Sequence, residues 1–318
     1  MRIFVTGGSG FLGKQVIQSL LSDDHEVFAL ARSAKSELKI NELGATVVLG
    51  DLGDVESYQK YLNGVDVVVH CAAPVEFWGP WEKYQEGMID ATQNLAKAAD
   101  RAKIKRFIHI SSESVLQDKD PLMNISESES YPEEPNSYYG KSKKIVEEFL
   151  LSTSFSMEVL IIRPTFIWGP DSNALSTILK KVRSNDFMWV DNGNASFEAV
   201  HVKNVAEIVR LALVHGKDKS VYFVTDDEEA TVREFFSRVF DSFNVPIPTK
   251  SIPGFLGASL ACSIEGLWRL LRLKSTPLLT RFDLSFVNMP RKYNISKAKL
   301  ELKYRPIINR DEGFKSLK

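Results

Sequence analysis

Through the first half of the chain, short β-branched and apolar runs alternate with longer segments in which apolar residues recur every three or four positions. The short runs predict strands at 3–6, 27–31, 46–49, 65–71, 106–110 and 159–163, and the longer segments predict helices over 11–21, 55–62, 81–101 and 139–151. Near-continuous apolar strands separated by amphipathic helices belong to a parallel sheet covered on both faces. The fold class expected is therefore α/β, a Rossmann-type doubly wound parallel sheet. After Pro164 the alternation loosens, with one more strand at 220–224 and a helix over 232–243 that Thr231 is placed to cap. This divides the chain into a sheet domain of residues 1–164 plus 196–225 and a smaller region of 165–195 plus 226–318, richer in Pro and aromatics.

The tail has a pattern of its own. Leu256, Leu260, Ile264, Leu267 and Leu271 recur at helical spacing, with Glu265, Arg269 and Arg272 on the opposite face. The expectation is a helix packed apolar side down over the body, and the alternative is a lid that also touches a membrane surface. The uncharged stretch 252–264 is well short of the roughly 18 apolar residues that span a bilayer.

Composition works mainly by exclusion. The 318 residues carry 40 Lys+Arg against 41 Asp+Glu, a net charge of −1, so no basic field points to nucleic acid. Two cysteines, Cys71 and Cys262, are too few for a disulfide framework. The five histidines show no ligand spacing, and no metal is expected. The first residues lack the pattern of a secretory signal, so the expected location is the cytoplasm.

Thr6-Gly7-Gly8-Ser9-Gly10-Phe11-Leu12-Gly13 joins the first strand to the first helix, the setting in which a dinucleotide fingerprint has meaning. Glycines there allow a tight turn and close backbone approach, and leave a pyrophosphate at the positive helix end. The domain of 1–164 plus 196–225 is accordingly read as dinucleotide-binding. Its second strand ends Ala29-Leu30-Ala31-Arg32-Ser33, with an Arg and no acid. A carboxylate there would hold a ribose 2′-hydroxyl and an Arg a 2′-phosphate, which favours NADP(H) over NAD(H). Asp51, followed by Leu52, is placed to receive the adenine amino group or simply to form a turn.

Tyr139 and Lys143 stand four apart on one predicted helix, and so share a face. A nearby ammonium favours a phenolate and suits the phenol to acid–base work. Ser112 and Ser114, just after the fifth strand, offer hydroxyls for the same substrate oxygen. Glycine loop, strand-end serines and Tyr-x-x-x-Lys in this order resemble the extended short-chain dehydrogenase/reductase superfamily of epimerase/dehydratase type. His70-Cys71-Ala72-Ala73, Ile162-Arg163-Pro164, Val200-His201-Val202, Ser296-Lys297-Ala298 and Tyr304-Arg305-Pro306 extend the likeness over nearly the whole chain. The resemblance implies Tyr139 as acid/base, Lys143 as its modulator and ribose ligand, and Ser112, with Ser114 second, on the reacting oxygen. It also implies Gly7, Gly10, Phe11, Leu12, Gly13, Arg32, Asp51, Leu52, Cys71, Ala72, Ala73 and Pro164 along the cofactor, and a homodimer through the helices at 81–101 and 139–151. The leading Asn that relatives often carry on the fourth helix is absent here, where the chain reads Met88-Ile89-Asp90-Ala91-Thr92-Gln93-Asn94.

The sugar-nucleotide epimerases often place Asn where this chain has Phe166. With Phe77, Trp78 and Trp168 nearby, that points to a small hydrophobic alcohol or ketone as substrate. The tail, running on to Pro277-Leu278-Leu279-Thr280-Arg281, resembles the 3β-hydroxysteroid/sterol dehydrogenase branch, and the dihydroflavonol-reductase-like branch shares the Arg at position 32. Two alternatives remain open. A nucleotide-sugar epimerase or dehydratase would hold NAD tightly and use Arg281 or Arg291 on a diphosphate. A catalytically silent NAD(P)-sensing protein would keep the fold alone, and the intact Ser112, Tyr139 and Lys143 argue against it.

Overall fold

The computed structural model describes residues 1–317 apart from 75–77, 119, 272, 274, 276, 278 and 279, and only the backbone at 269. Seven strands, β1 (Arg2–Thr6), β2 (Glu26–Ala31), β3 (Thr46–Leu49), β4 (Val67–His70), β5 (Arg106–Ile110), β6 (Glu158–Pro164) and β7 (Ser220–Val224), pair in parallel in the order β7-β6-β5-β4-β1-β2-β3. The order reverses between β1 and β4, which opens a crevice at the carboxyl ends of these strands, where ligands of such sheets bind.

Strand residues are apolar on both sides because both faces are covered. Ile3, Val5, Ala29, Ile108 and Leu160 face helices Phe11–Ser22 and Val202–Ala212. Phe4, Val68, Phe107, Val159 and Ile161 face helices Ala91–Arg101 and Tyr138–Ser152. A third cluster, built on Trp168, Trp189, Phe197, Phe235, Phe236 and Phe314, is the core of the smaller region.

Several expectations change. Helix Ala34–Glu42 was not expected, since it buries only Ile40 and leaves Leu38 exposed, too little for an amphipathic signal. The helix expected over 81–101 is interrupted by a π-helical stretch, Gln85–Asp90, in which Met88 Sδ accepts a hydrogen bond from Ser142 Oγ at 3.0 Å. Within 196–225, strands Ser196–Phe197 and Ala199–His201 pair with Ala230–Thr231 and Phe166–Trp168, so the return to the central sheet begins only with helix Val202–Ala212. Helix 232–243 appears as Val232–Ser242, with Thr231 and Glu234 forming a capping box.

The tail helix, Gly254–Leu270, is turned opposite to the expectation. Leu256, Leu260 and Leu267 face solvent, while Ala261 and Glu265 are buried. Close packing selects the small side: a Cβ at Gly257 would lie 2.8 Å from Leu284 Cδ1 of helix Arg281–Asn288. Glu265 is drawn inward because it accepts from Arg281 N at 2.6 Å and Arg281 Nε at 2.9 Å.

Glu198, where the smaller region meets the sheet domain, accepts from Tyr293 N at 2.9 Å and is nearly buried. Burial pushes its carboxyl up to about 7, opposed by the Tyr293 hydrogen bond and by Arg310 and Lys292, and reinforced by Glu113. The folded pKa lies above the unfolded one, so stability present below the ordinary carboxylate range is lost as pH rises through about 7. Glu198→Gln keeps an acceptor for Tyr293 without the charge. It is expected to stabilise the protein at pH 8 by up to about 3 kcal/mol and to change little at pH 5. Thermal unfolding at the two pH values checks this, and a lower midpoint for the variant at pH 8 would contradict it.

Candidate active site

At the end of β1 the chain turns through Gly7, whose φ is +72°. A Cβ there would lie 2.7 Å from Ala72 N, so only glycine lets this turn rest against the loop that follows β4. Gly10 N donates to Gly7 O at 2.9 Å, and helix Phe11–Ser22 starts without a side-chain cap, leaving its first N–H groups for an anion. The second loop is held by Thr6, whose Oγ1 accepts from Ala72 N at 3.3 Å and pairs with His70 Nδ1 at 2.6 Å. Burial brings His70 down to about 3, so it is a neutral strut whose Nε2 pairs with Thr92. Cys71, Ala72 and Ala73 are partly exposed beside the glycine turn, and Pro164 is buried at the end of β6. A cradle that a side chain would fill, beside an uncapped helix end, fits a dinucleotide.

Phe11 and Leu12 are partly exposed and Gly13 is buried. Arg32 extends into solvent at the end of β2, its Nε 3.9 Å from Asp51 Oδ2. Asp51 Oδ1 also accepts from Gly53 N at 2.8 Å, so this carboxylate makes the turn as well as facing Arg32, with Leu52 partly exposed beside it. Burial drives the Cys71 thiol up to about 12, which keeps it protonated.

β5 delivers Ser112 as the N-cap of the short turn Glu113–Leu116. Ser114 is buried and donates from N and Oγ to Ser112 Oγ at 3.2 and 2.9 Å, so Ser114 supports while the more exposed Ser112 presents its hydroxyl. Helix Tyr138–Ser152, capped by Ser137, lies directly on this turn, and Gly140 permits it: a Cβ there would be 2.4 Å from Ser114 O. Tyr139 thereby hydrogen-bonds Ser112, and Lys143 Nζ sits 6.0 Å from the Tyr139 ring centre, donating to Ile110 O at 2.7 Å.

The electrostatics differ from the expectation. Burial pushes the Tyr139 phenol up to about 12, opposed by the Ser112 hydrogen bond, whereas lowering by Lys143 was expected. The ammonium is aimed at the Ile110 carbonyl and is itself desolvated, which brings it down to about 8 against the support of Glu147 and Cys71. The site thus holds a protonated phenol against a hydroxyl, arranged to exchange a proton with a carbinol or carbonyl oxygen.

Sequence reasoning missed what anchors this helix. Glu147, one turn beyond Lys143, accepts from Arg163 Nη2 at 2.6 Å and from the partly buried Tyr131 Oη at 2.6 Å, the ion pair itself lying deep in the protein. Its place in the Tyr139, Lys143, Glu147 stripe at intervals of four was the available signal. A second buried pair, Glu113–Arg291 at 3.1 Å, ties the serine turn to strand Arg291–Tyr293 of the smaller region.

Of the residues expected to line a substrate opening, Phe77 lies outside the described residues and Trp78 is partly buried. Phe166 is partly buried among Phe197, Phe235, Phe236 and Phe286 at 5.1–6.2 Å. Trp168 is a correction: it is fully buried and donates from Nε1 to Asp226 Oδ2 at 2.7 Å, so it fills the core below any opening. Arg281 is engaged by Glu265, and Arg291 by Glu113 and the carbonyls of Ser285, Phe286 and Met289, leaving neither as a free diphosphate ligand.

Residues 3–224 match the family described as NAD dependent epimerase/dehydratase. The chain is 34% identical to a decarboxylating sterol-4-alpha-carboxylate 3-dehydrogenase of Dictyostelium discoideum, over 99% of each chain. It is 32% identical to the 4-hydroxy-2-methyl-3-oxo-4-farnesyl-3,4-dihydroquinoline-1-oxide ketoreductase of Stigmatella aurantiaca, over 100% of this chain and 96% of the relative. The crystal structure of gox2253 superposes with a TM-score of 0.82 at 26% identity, over 99% of this chain and 96% of that one.

Proposed function

The chain belongs to the NAD dependent epimerase/dehydratase family, and from that premise we propose that it interconverts a secondary alcohol and ketone on a hydrophobic, steroid-like molecule with NADP(H). It is an NAD(P)-dependent dehydrogenase/reductase acting on CH–OH groups. The observation that carries the proposal is the Ser112–Tyr139 hydrogen bond at the crevice, beside the glycine cradle and with Lys143 beneath. The bound cofactor supplies the hydride acceptor or donor. Ser112 holds the reacting oxygen, and Tyr139 takes up the hydroxyl proton or returns it. Lys143 holds the nicotinamide ribose and places positive charge beside the phenol. Gly7, Gly10, Gly13 and the uncapped helix end hold the pyrophosphate, and exposed Arg32 receives the 2′-phosphate.

The steroid-like assignment draws on the sterol dehydrogenase likeness, on the aromatic surroundings of Phe166, and on the engagement of Arg281 and Arg291 elsewhere. A homodimer through helices Ala91–Arg101 and Tyr138–Ser152 belongs to the same reading.

The test is reduction of NADP⁺ and NAD⁺ by 3β-hydroxysteroids, simple alcohols and nucleotide sugars. A steroid alcohol is expected to reduce NADP⁺ in preference to NAD⁺. Arg32→Ser is expected to lower kcat/KM for NADP⁺ by about tenfold or more, as loss of a charge-assisted phosphate contact implies, and to spare NAD⁺. Turnover of nucleotide sugars alone would sink the substrate assignment, and a tenfold wild-type preference for NAD⁺ the cofactor assignment.

A further inference from the structure

The end of helix Arg281–Asn288 and the strand that follows it hold both elements of the site at once. Arg291, buried at the start of strand Arg291–Tyr293, is fixed in place by the pairing of that strand with Leu122–Ile125. Its guanidinium faces two ways. On one side Nη2 donates to Ser285 O at 2.9 Å and Phe286 O at 2.6 Å, and Nε to Met289 O at 3.4 Å, so it satisfies the carbonyl end of the helix. On the other side Nη1 donates to Glu113 Oε1 at 3.1 Å. Glu113 adjoins Ser112 and opens the short turn Glu113–Leu116. The same helix reaches the element that carries Tyr139 through Ser285, whose Oγ accepts from Asn136 Nδ2 at 3.0 Å, one residue before the Ser137 cap of helix Tyr138–Ser152. Asn136 N in turn donates to Gln117 O at 2.8 Å, at the far end of the serine turn.

A buried ion pair is a weak source of stability, because desolvation offsets much of the attraction. What this one supplies is direction. A rigid guanidinium fork fixes a carboxylate in place as a flexible ammonium does not. The turn it holds is only four residues long, with Ser112 as its N-cap, so a shift of Glu113 moves the neighbouring hydroxyl relative to Tyr139.

We propose that Arg291 is a positioning residue for the reaction: acting through Glu113, it holds the serine turn so that the Ser112 hydroxyl stays aligned with Tyr139 and the reacting oxygen. This rests on the role proposed above for Ser112. The same guanidinium lies 5.1 Å from the centre of the Phe286 ring, which packs against Phe166, so the link runs from the aromatic cluster assigned to the substrate to the hydroxyl that meets it.

The test is a double-mutant cycle on kcat. A residue that works only through Ser112 loses its effect when that hydroxyl is gone, whereas a merely structural loss persists. Arg291→Lys keeps the positive charge and loses the fork. It is expected to lower kcat for the preferred alcohol by about tenfold or more in the wild-type background, as a small misplacement of a reacting group implies, and by less than about twofold in Ser112→Ala. KM for NADP⁺ should stay within about twofold throughout, because the glycine cradle is untouched. Glu113→Gln, which keeps the shape and an acceptor for Arg291, is expected to show the same dependence on Ser112 with a smaller loss, and it carries the test should Arg291→Lys fail to fold. Two results would overturn the proposal and leave the Ser112 assignment intact: unchanged kcat in the variants that fold, or an equal fall with and without the Ser112 hydroxyl. Wild-type turnover by Ser112→Ala, or no turnover of any alcohol by the wild type, would instead overturn the role of Ser112 itself, and this proposal with it.

Discussion

Tyr139→Phe is expected to lower turnover of the preferred alcohol by about 10²–10⁴-fold, the range for removing a positioned acid–base group. Only the phenolic oxygen is lost. The ring stays in place between Ser112 and Lys143, and helix Tyr138–Ser152 keeps its seat on the serine turn through Gly140. Cofactor affinity should therefore hold, because the glycine cradle and the uncapped end of helix Phe11–Ser22 do not touch the replaced atom. Stopped-flow turnover read beside an NADPH fluorescence titration separates the two. A large fall in affinity with turnover preserved would make Tyr139 a binding residue, and no change in either would remove it from the chemistry. Burial, which pushes this phenol up to about 12, keeps it protonated at neutral pH, so it is poised to donate a proton in the reducing direction.

What could be read from the chain was whatever depends on local pattern. The seven sheet strands follow from apolar runs between turns, because a strand buried on both faces needs nothing more specific. The glycine turn and the Tyr-x-x-x-Lys pair are local as well, since their spacing fixes a shared face before any tertiary contact forms. Helix Ala34–Glu42 escapes because it buries only Ile40 and so has no apolar stripe to read, whereas the failures around the site and the tail involve distant partners. Periodicity shows that helix Gly254–Leu270 has two unlike faces, but the inward one was chosen by Leu284 against Gly257 and by Arg281, which lies 16 residues beyond Glu265. Trp168 sits two residues from Phe166 on one strand, yet Asp226, 58 residues away, claims its indole and sinks it into the core. The pKa of Tyr139 follows the same logic: spacing places Lys143 beside it, but only the assembled fold buries the phenol and raises it, and Ile110 O takes the ammonium.

Glu147→Ala is expected to destabilise the protein by about 3–5 kcal/mol, the range for breaking a buried ion pair from one side. Arg163 is 1% exposed, and its Nη1 already lacks a hydrogen-bond partner among the described residues. Without Glu147 the guanidinium would keep only the Tyr131 hydroxyl, with the rings of Tyr131 and Phe223 at 5.2 and 5.4 Å. For a chain of this length the loss corresponds to a fall of roughly 10 °C in the thermal midpoint. The double variant Glu147→Leu/Arg163→Met removes both charges and should recover much of that stability, because the penalty lies in the unpaired ion. If the double variant were as unstable as Glu147→Ala, the pair would matter for packing and not for charge. Glu147 also raises the pKa of Lys143, so removing it moves the loss of the ammonium below about pH 8. The carboxylate that fastens the helix to β6 thereby also favours the charged form of Lys143, and in the double variant the loss of activity as pH rises should begin at lower pH than in the wild type even where folding is restored.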